Sequence, residues 1–515
     1  MKWKRTSMLL ILLLLFGSSA SAQDHKDIRD EVIYSLMINR FYNGSEQNDR
    51  NVNYERSDAY YGGDLQGIAQ KLDYIQEMGF TAVLLTPFME NDETGYHGYA
   101  VTNHYKIDDH FGTLKDLQNL VKKAHERNIK IMVEFPLTIS NNHTWVADKG
   151  KQTWISNESG TDNEVIKALP HLNLKESAVQ KYLIKNAAWW SKQADIDGYY
   201  VKDIDQAPSA FISSFSKTLK SMDPSFLLIG EINGQPLKKN EQADSLGVDL
   251  LVDRTLAEAT AATFSGTNRP QKMLYDKWGK RSNQPLANFL DDVHSTRFTA
   301  QALKSENHPG ARTKQGLSYL YTSPSVPIVF YGTEIALNGG KGAENYGMMN
   351  FLANPDIIDH LKKLAELRAK SPSLRKGSFT LVSEQKGVAV YKRRYKDETT
   401  FVVINNTKET SVINVPLKKV GKENELRGLI TEGIIRPVDD VYNISSEPET
   451  TNVYKVVKKS GFNIGYIAAV AAVYTGFGIF LYKASSKRRK EKKRKFLNLV
   501  KRTARRSCQI ILDKY

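Results

Sequence analysis

Side chains able to carry charge or move protons stand at the ends of two short apolar runs. Gly198-Tyr-Tyr-Val201 leads into Lys202, Asp203, Asp205 and Gln206, and Phe226-Leu-Leu-Ile229 leads into Gly230 and Glu231. If both runs are strands, side chains alternate with period two, so Tyr200 and Lys202 share one face while Val201 and Asp203 share the other. Asp203 would then join the first face only through a bulge. An ammonium near Glu231 stabilises its carboxylate and lowers its pKa, the reverse of what a general acid needs at neutral pH. Such a pair is a salt bridge rather than an acid. Earlier in the chain, Tyr96-His97-Gly-Tyr99 offers aromatic faces beside polar groups, a general form of sugar platform that simple packing would explain equally well.

The elements that must position these groups alternate. From about Val32 to Leu367, β-rich runs alternate with amphipathic helical stretches, the pattern of βα units in a parallel sheet. Besides the two runs above, Val83-Leu-Leu, Lys130-Ile-Met-Val, Leu250-Leu-Val, Asn288-Phe-Leu and Val326-Pro-Ile-Val-Phe are strand candidates. The long gap before Gly198 is polar and turn-rich, which predicts a small inserted subdomain at about 140–175. After Ser371-Pro-Ser the helices stop. Val388-Ala-Val-Tyr, Thr400-Phe-Val-Val-Ile and Ser411-Val-Ile-Asn-Val predict a small antiparallel β-sandwich-like domain over 373–442, and the polar residues 443–460 read as a stalk.

Several stretches, in order, resemble the α-amylase family, glycoside hydrolase family 13. They include Tyr61-Gly-Gly-Asp-Leu-Gln-Gly-Ile, Gly79-Phe-Thr-Ala-Val-Leu-Leu-Thr-Pro, Tyr96-His-Gly-Tyr99, His110-Phe-Gly-Thr, Ile229-Gly-Glu231 and Phe330-Tyr-Gly-Thr-Glu-Ile. The resemblance implies a (β/α)8 TIM barrel over 23–372 and retaining hydrolysis of α-glucans. That reaction uses a carboxylate nucleophile and a carboxylic acid about 5–5.5 Å apart. Carried over position by position, the acid is retained as Glu231, whereas Lys202 replaces the nucleophile, Tyr200 an arginine and Gln206 a histidine. In Phe289-Leu-Asp-Asp292-Val293-His294-Ser-Thr-Arg297, His294 replaces the third, transition-state-stabilising carboxylate, and Val293 replaces a sugar-binding histidine. The resemblance also implies substrate contacts at Tyr96, His97, Tyr99, Tyr200, Asp203, Asp205, Gln206 and Arg297. Glu134-Phe-Pro-Leu-Thr138-Ile139 departs from the third-strand motif, whose asparagine is usually a calcium ligand. A structural calcium therefore loses its usual ligands, no other metal or cofactor is implied, and Asn142-His143 could restore the pair only through an insertion. Trp189-Trp190 and Leu169-Pro-His-Leu-Asn173 resemble secreted Bacillus-type members, with helix packing an equal explanation for the tryptophans.

The charge pattern concerns membranes. Residues 1–22 have the basic, apolar and small-residue layout of a signal peptide, with an uncleaved anchor as the alternative. Residues 461–482 are uncharged and long enough to span ~30 Å of hydrocarbon. They precede a tail, 483–515, with 14 Lys/Arg and two acidic residues, which accounts for most of the net charge of +15. The positive-inside rule makes this tail cytoplasmic and everything before it extracellular. The remaining ectodomain is near neutral, so the charge does not call for nucleic acid. The only cysteine, Cys508, lies in the tail, and no disulfide can staple the ectodomain. Three functions follow as expectations. The first is a catalytically inactive, membrane-anchored protein that binds α-glucan or other polysaccharide or serves as an envelope scaffold. The others are an active α-glucan hydrolase with displaced catalytic groups, including an inverting one in which Asp205 activates a water, and an accessory subunit of a membrane complex.

Overall fold

Short strands that are apolar on both faces must be covered on both, and a parallel sheet closed into a barrel and ringed by helices does this. The computed structural model describes residues 27–156, 164–233, 243–280, 284–340, 342–459 and 464–512. The signal-peptide assignment, residues 1–22, lies outside the described residues. Strands β1 (Ile33–Leu36), β2 (Ala82–Leu85), β3 (Lys130–Glu134), β4 (Gly198–Val201), β5 (Leu227–Ile232), β6 (Leu250–Asp253), β7 (Leu286–Asn288) and β8 (Ser325–Phe330) close into a barrel. Each pairs in parallel with its neighbours in the chain, and β1 meets β8 through Ile33 and Ile328. Six of these strands coincide with runs named from the sequence, and β1 was not among those runs. The seventh lies two residues earlier than expected, because the Asn288 side chain accepts the Phe289 N–H at 2.9 Å and ends the strand there.

Period-two alternation divides the barrel into two apolar layers. Ile33, Met132, Tyr200, Ile229, Leu250 and Val252 pack in the lumen. Tyr199 faces outward instead, against the rings of Phe135 and Phe226 at 5.1 and 5.3 Å. Gly198 makes the β4–β5 approach possible, since a Cβ there would lie 2.6 Å from the Leu227 carbonyl oxygen. Packed side chains thus fill the lumen up to the C-terminal ends of the strands, where this fold carries its sites.

Two excursions rise from that end. A hairpin, Met89–Asn91 with Val101–Ile107, carries Tyr96, His97 and Tyr99 at its turn. The second follows β3 as expected: short helices at Thr144–Ala147 and Glu164–Lys167 and a two-stranded pairing of Ile155–Ser156 with His171–Leu172.

The C-terminal β domain contains β9 (Ser378–Gln385), β10 (Val388–Tyr395), β11 (Glu398–Asn405), β12 (Ser411–Pro416), β13 (Asn424–Gly428), β14 (Ile434–Ile435), β15 (Val441–Ser446) and β16 (Thr450–Lys458). Six form one antiparallel sheet in the order β9-β10-β11-β16-β13-β14, and β12 pairs with β15 in a second. This corrects the stalk assigned to 443–460. β15 and β16 are integral strands that bury Tyr442, Ile444, Val453 and Tyr454 among polar residues, so the segment looks hydrophilic in composition while it contributes to the core. The domain is bound to the barrel by Arg312, which donates to Glu449 at 2.9 Å and to Asn406 at 2.7 Å, and by Arg393, which donates to the Thr322 carbonyl at 2.9 Å.

Described by itself, the C-terminal region is one helix, Ile464–Leu512. Its apolar part contains an 18-residue window of mean hydropathy 1.6, enough by length and composition to cross a membrane. The helix does not stop at the end of that window and continues through the basic tail.

A chain ended after Val441 loses Ile444, Val453 and Tyr454 from the core. It is expected to be insoluble or rapidly proteolysed, whereas one ended after Lys459 should unfold cooperatively in urea.

Candidate functional site

The ends of β4 and β5 lie side by side, with Tyr200 opposite Ile229 and Val201 opposite Gly230. This register brings Tyr200 and Lys202 to Glu231, as alternation requires. Lys202 Nζ lies 2.6 Å from Glu231 Oε1, and the Tyr200 hydroxyl donates to Glu231 Oε2. A third donor comes from the residue after β6: Arg254 Nε reaches Glu231 Oε1 at 3.1 Å, and its Nη2 holds Asp292 at 2.6 Å. Glu231 has no exposed surface and Lys202 retains 11 % of its side-chain surface. Burial alone would raise the Glu231 pKa, but the Arg254 and Lys202 charges and the Lys202 hydrogen bond outweigh it and hold the carboxyl well below the usual range. Asp292 is depressed in the same way, by Arg254, His294 and Lys202 acting against burial. Two carboxylates and two cations therefore form a buried, electrically balanced cluster.

A second cluster adjoins it. His294 Nε2 lies 2.8 Å from Glu134 Oε1, and the Tyr99 hydroxyl donates to Glu134 Oε2 at 2.7 Å. Tyr99 is 3 % exposed, with its ring edge-on to His294. His97 accepts the Tyr99 backbone N–H at 3.0 Å, and burial lowers its pKa to about 4, so it is neutral at physiological pH. Between the clusters lies a cavity of about 30 Å³, walled by Lys202, Asp203 and His294 and covered by Leu137, Ile166 and His171 of the excursion after β3. Space of that size holds about one water.

Asp203 corrects an expectation. It was to point away from the Lys202 face, but its backbone turns into the left-handed region, φ +52°, and its side chain lines the cavity. Aspartate tolerates that conformation better than most residues. Its Oδ1 is buried without a hydrogen-bond partner, and burial pushes the carboxyl up to about 6 against the opposing pull of Lys202.

Other expected contacts lie apart from the cavity. Arg297 is fully buried and donates to the carbonyls of Tyr331 at 2.7 Å and Asn345 at 3.2 Å, a brace between β7 and β8 loops rather than a group facing Glu231. Tyr96 packs over Arg40, Asp205 accepts the Asn233 N–H at 3.1 Å, and Gln206 is exposed. Trp190 is buried and donates to the His104 carbonyl at 2.7 Å, which accounts for it by packing. Thr138 gives its hydroxyl to the Tyr99 carbonyl at 2.7 Å, Ile139 is buried, and His143 caps Trp145 N at 3.1 Å; these residues do not fit the calcium site of the resemblance. Sequence reasoning assigned no role to Arg254, Asp292 or His171. Arg254 was findable, since it directly follows a strand at the end of the barrel where functional groups collect.

A closed (β/α)8 barrel with charged groups gathered at the ends of β3 to β7 defines a barrel protein of the enzyme-bearing type. The family model for the α-amylase catalytic domain matches residues 35–163, and the model for the α-amylase C-terminal domain matches 377–454. An α-amylase structure from Anoxybacillus is 38 % identical, covers 84 % of this chain and 99 % of its own, and superposes with a TM-score of 0.78. One from Geobacillus thermoleovorans, solved with acarbose, is 39 % identical over 84 % of this chain and 100 % of its own, with a TM-score of 0.77. A cyclomaltodextrinase of Thermoanaerobacter pseudethanolicus is 28 % identical over 77 % of this chain and 74 % of its own. The chain belongs to the α-amylase family.

Removing Glu231 leaves Lys202 without its buried carboxylate and Arg254 with Asp292 alone. Glu231→Gln is expected to lower unfolding free energy by ~3 kcal/mol or more, and Lys202→Met by less, because Arg254 still holds Glu231; urea denaturation checks the order. Asp203 has the opposite sign. Its folded pKa is raised, so stability increases as pH falls through about 6 and levels off near the unfolded value. Asp203→Asn should therefore stabilise the protein by about 3 kcal/mol at pH ~8 and have almost no effect at pH ~4.

Proposed function

We propose that this α-amylase-family protein does not cleave α-glucans. In this reading it is anchored by its C-terminal helix with the barrel outside the cell, where it binds α-glucan or another polysaccharide on its outer surface or serves as an envelope scaffold. The observation that carries the loss of hydrolysis is the 2.6 Å contact of Lys202 Nζ with Glu231 Oε1. On the family register, Lys202 stands where a carboxylate would attack the anomeric carbon. A lysine ion-paired with Glu231 offers no carboxylate oxygen for that step. Glu231, held ionised by Arg254 and Lys202, has no proton for the leaving oxygen. Both halves of the reaction lose their reagent.

The size of the cavity supports the same reading. At about 30 Å³ it is far below the ~300 Å³ or more of ordinary small-molecule sites, and Tyr99, Glu134 and His294 are hydrogen-bonded to one another inside it. The relatives named for cyclomaltodextrin chemistry or solved with acarbose make α-glucan the first polymer to try. The anchor is supported by the apolar window and by the basic residues that follow it.

Asp203 favours a second reading, hydrolysis by a displaced carboxylate, because its kink turns it to the cavity. Full-length protein in detergent, incubated with soluble starch, separates the two. No release of reducing ends above a Glu231→Gln control is expected. Release by the wild type that is lost in both Glu231→Gln and Asp203→Asn would establish the displaced-carboxylate enzyme instead. Retarded migration in a starch-containing native gel would favour the polysaccharide role over the scaffold.

A further inference from the structure

The helix Ile464–Leu512 continues for several turns beyond its apolar window, and at ~1.5 Å per residue its 49 residues measure about 73 Å, more than twice a bilayer's hydrocarbon. The distal part has a pattern of its own. At ~3.6 residues per turn, Phe496, Leu497, Leu499, Val500, Thr503 and Ala504 fall on one side, whereas Asn498, Lys501, Arg502, Arg505 and Arg506 fall on the other. Phe496, Leu497, Leu499 and Val500 are 66, 52, 63 and 51 % exposed. Ahead of them, Lys487 to Lys495 holds eight cations and one acid.

An apolar side this exposed needs a cover, and the charges select one. A second copy would bring two sets of these cations together. The apolar arc, from Leu499 round to Leu497, is also wider than the a/d seam of a coiled coil. An anionic bilayer surface satisfies both sides of the helix at once: apolar side chains enter the acyl boundary while Lys501, Arg502, Arg505 and Arg506 meet lipid phosphates.

We propose that residues 496–506 form an interfacial helix that docks on anionic phospholipid, held at the surface by the span that precedes it. This rests on the anchored reading above. For the segment to lie flat the long helix must bend between span and surface. The run Ala484-Ser485-Ser486 and the like charges at Arg488 and Lys492, Arg489 and Lys493, and Lys490 and Arg494 are its weakest part, since serine is a poorer helix former than alanine and i,i+4 repulsion destabilises helices.

The test places a fluorophore at Leu499→Cys in a Cys508→Ser background, in the full-length chain, reconstituted in nanodiscs of phosphatidylcholine with or without phosphatidylglycerol. Iodide quenching of the probe should fall at least ~threefold when phosphatidylglycerol is present. A probe at Asn498→Cys on the polar side should change little, and the effect at position 499 should be lost when Lys501, Arg502, Arg505 and Arg506 are all replaced by Gln. Equal quenching in both lipids would overturn the proposal. So would protection at position 499 that rises with the number of chains per disc, since that marks a second copy. Retention by the phosphatidylglycerol discs alone would uphold the interfacial helix while refuting the span. Retention by neither disc overturns both.

Discussion

The mouth of the barrel is organised by the need to neutralise one carboxylate that has no access to water. Desolvating Glu231 costs several kcal/mol, and the cost is offset only by close, well-directed donors. Tyr200 and Lys202 arrive from β4 because alternation puts them on the same face, and Arg254 arrives from the end of β6. Arg254 is itself buried and requires Asp292. Each charge in the cluster is thus a condition for the next. Four strand ends are held in one arrangement by these charges together with buried apolar neighbours such as Ile204 and Val293.

The adjoining cluster extends this closure toward solvent. Glu134 takes both Tyr99 and His294, so the hairpin after β2, the end of β3 and the loop after β7 are joined through one carboxylate. The excursion after β3 then lays Leu137, Ile166 and His171 over the top. The mouth of this barrel is therefore organised as a packed interior.

Most of the fold was legible because apolar runs with a period of two, separated by amphipathic helices, have few solutions. The pairing of Lys202 with Glu231 was equally legible from alternation and register. What was missed shares a physical cause. The strand at Val441–Ser446 buries every second residue and that at Thr450–Lys458 buries Val453 and Tyr454 among polar neighbours, so composition described the exposed part and suggested a stalk. Arg254 and Asp292 meet only in three dimensions, across β6 and β7, and no local pattern connects them. The left-handed turn at Asp203 is a backbone event that alternation cannot foresee, since alternation assumes the strand continues.

That turn has a consequence for reactivity. Carbodiimides activate carboxyl groups in their protonated form, so Asp203 and Glu231 differ in susceptibility. Glu231, held ionised between Arg254 and Lys202, is inert to such a reagent across the ordinary pH range. Asp203, whose carboxyl is pushed up to about 6 by burial, is the more open to it in mildly acidic solution. A small carbodiimide with a compact amine would thus mark Asp203 and leave Glu231 unmarked.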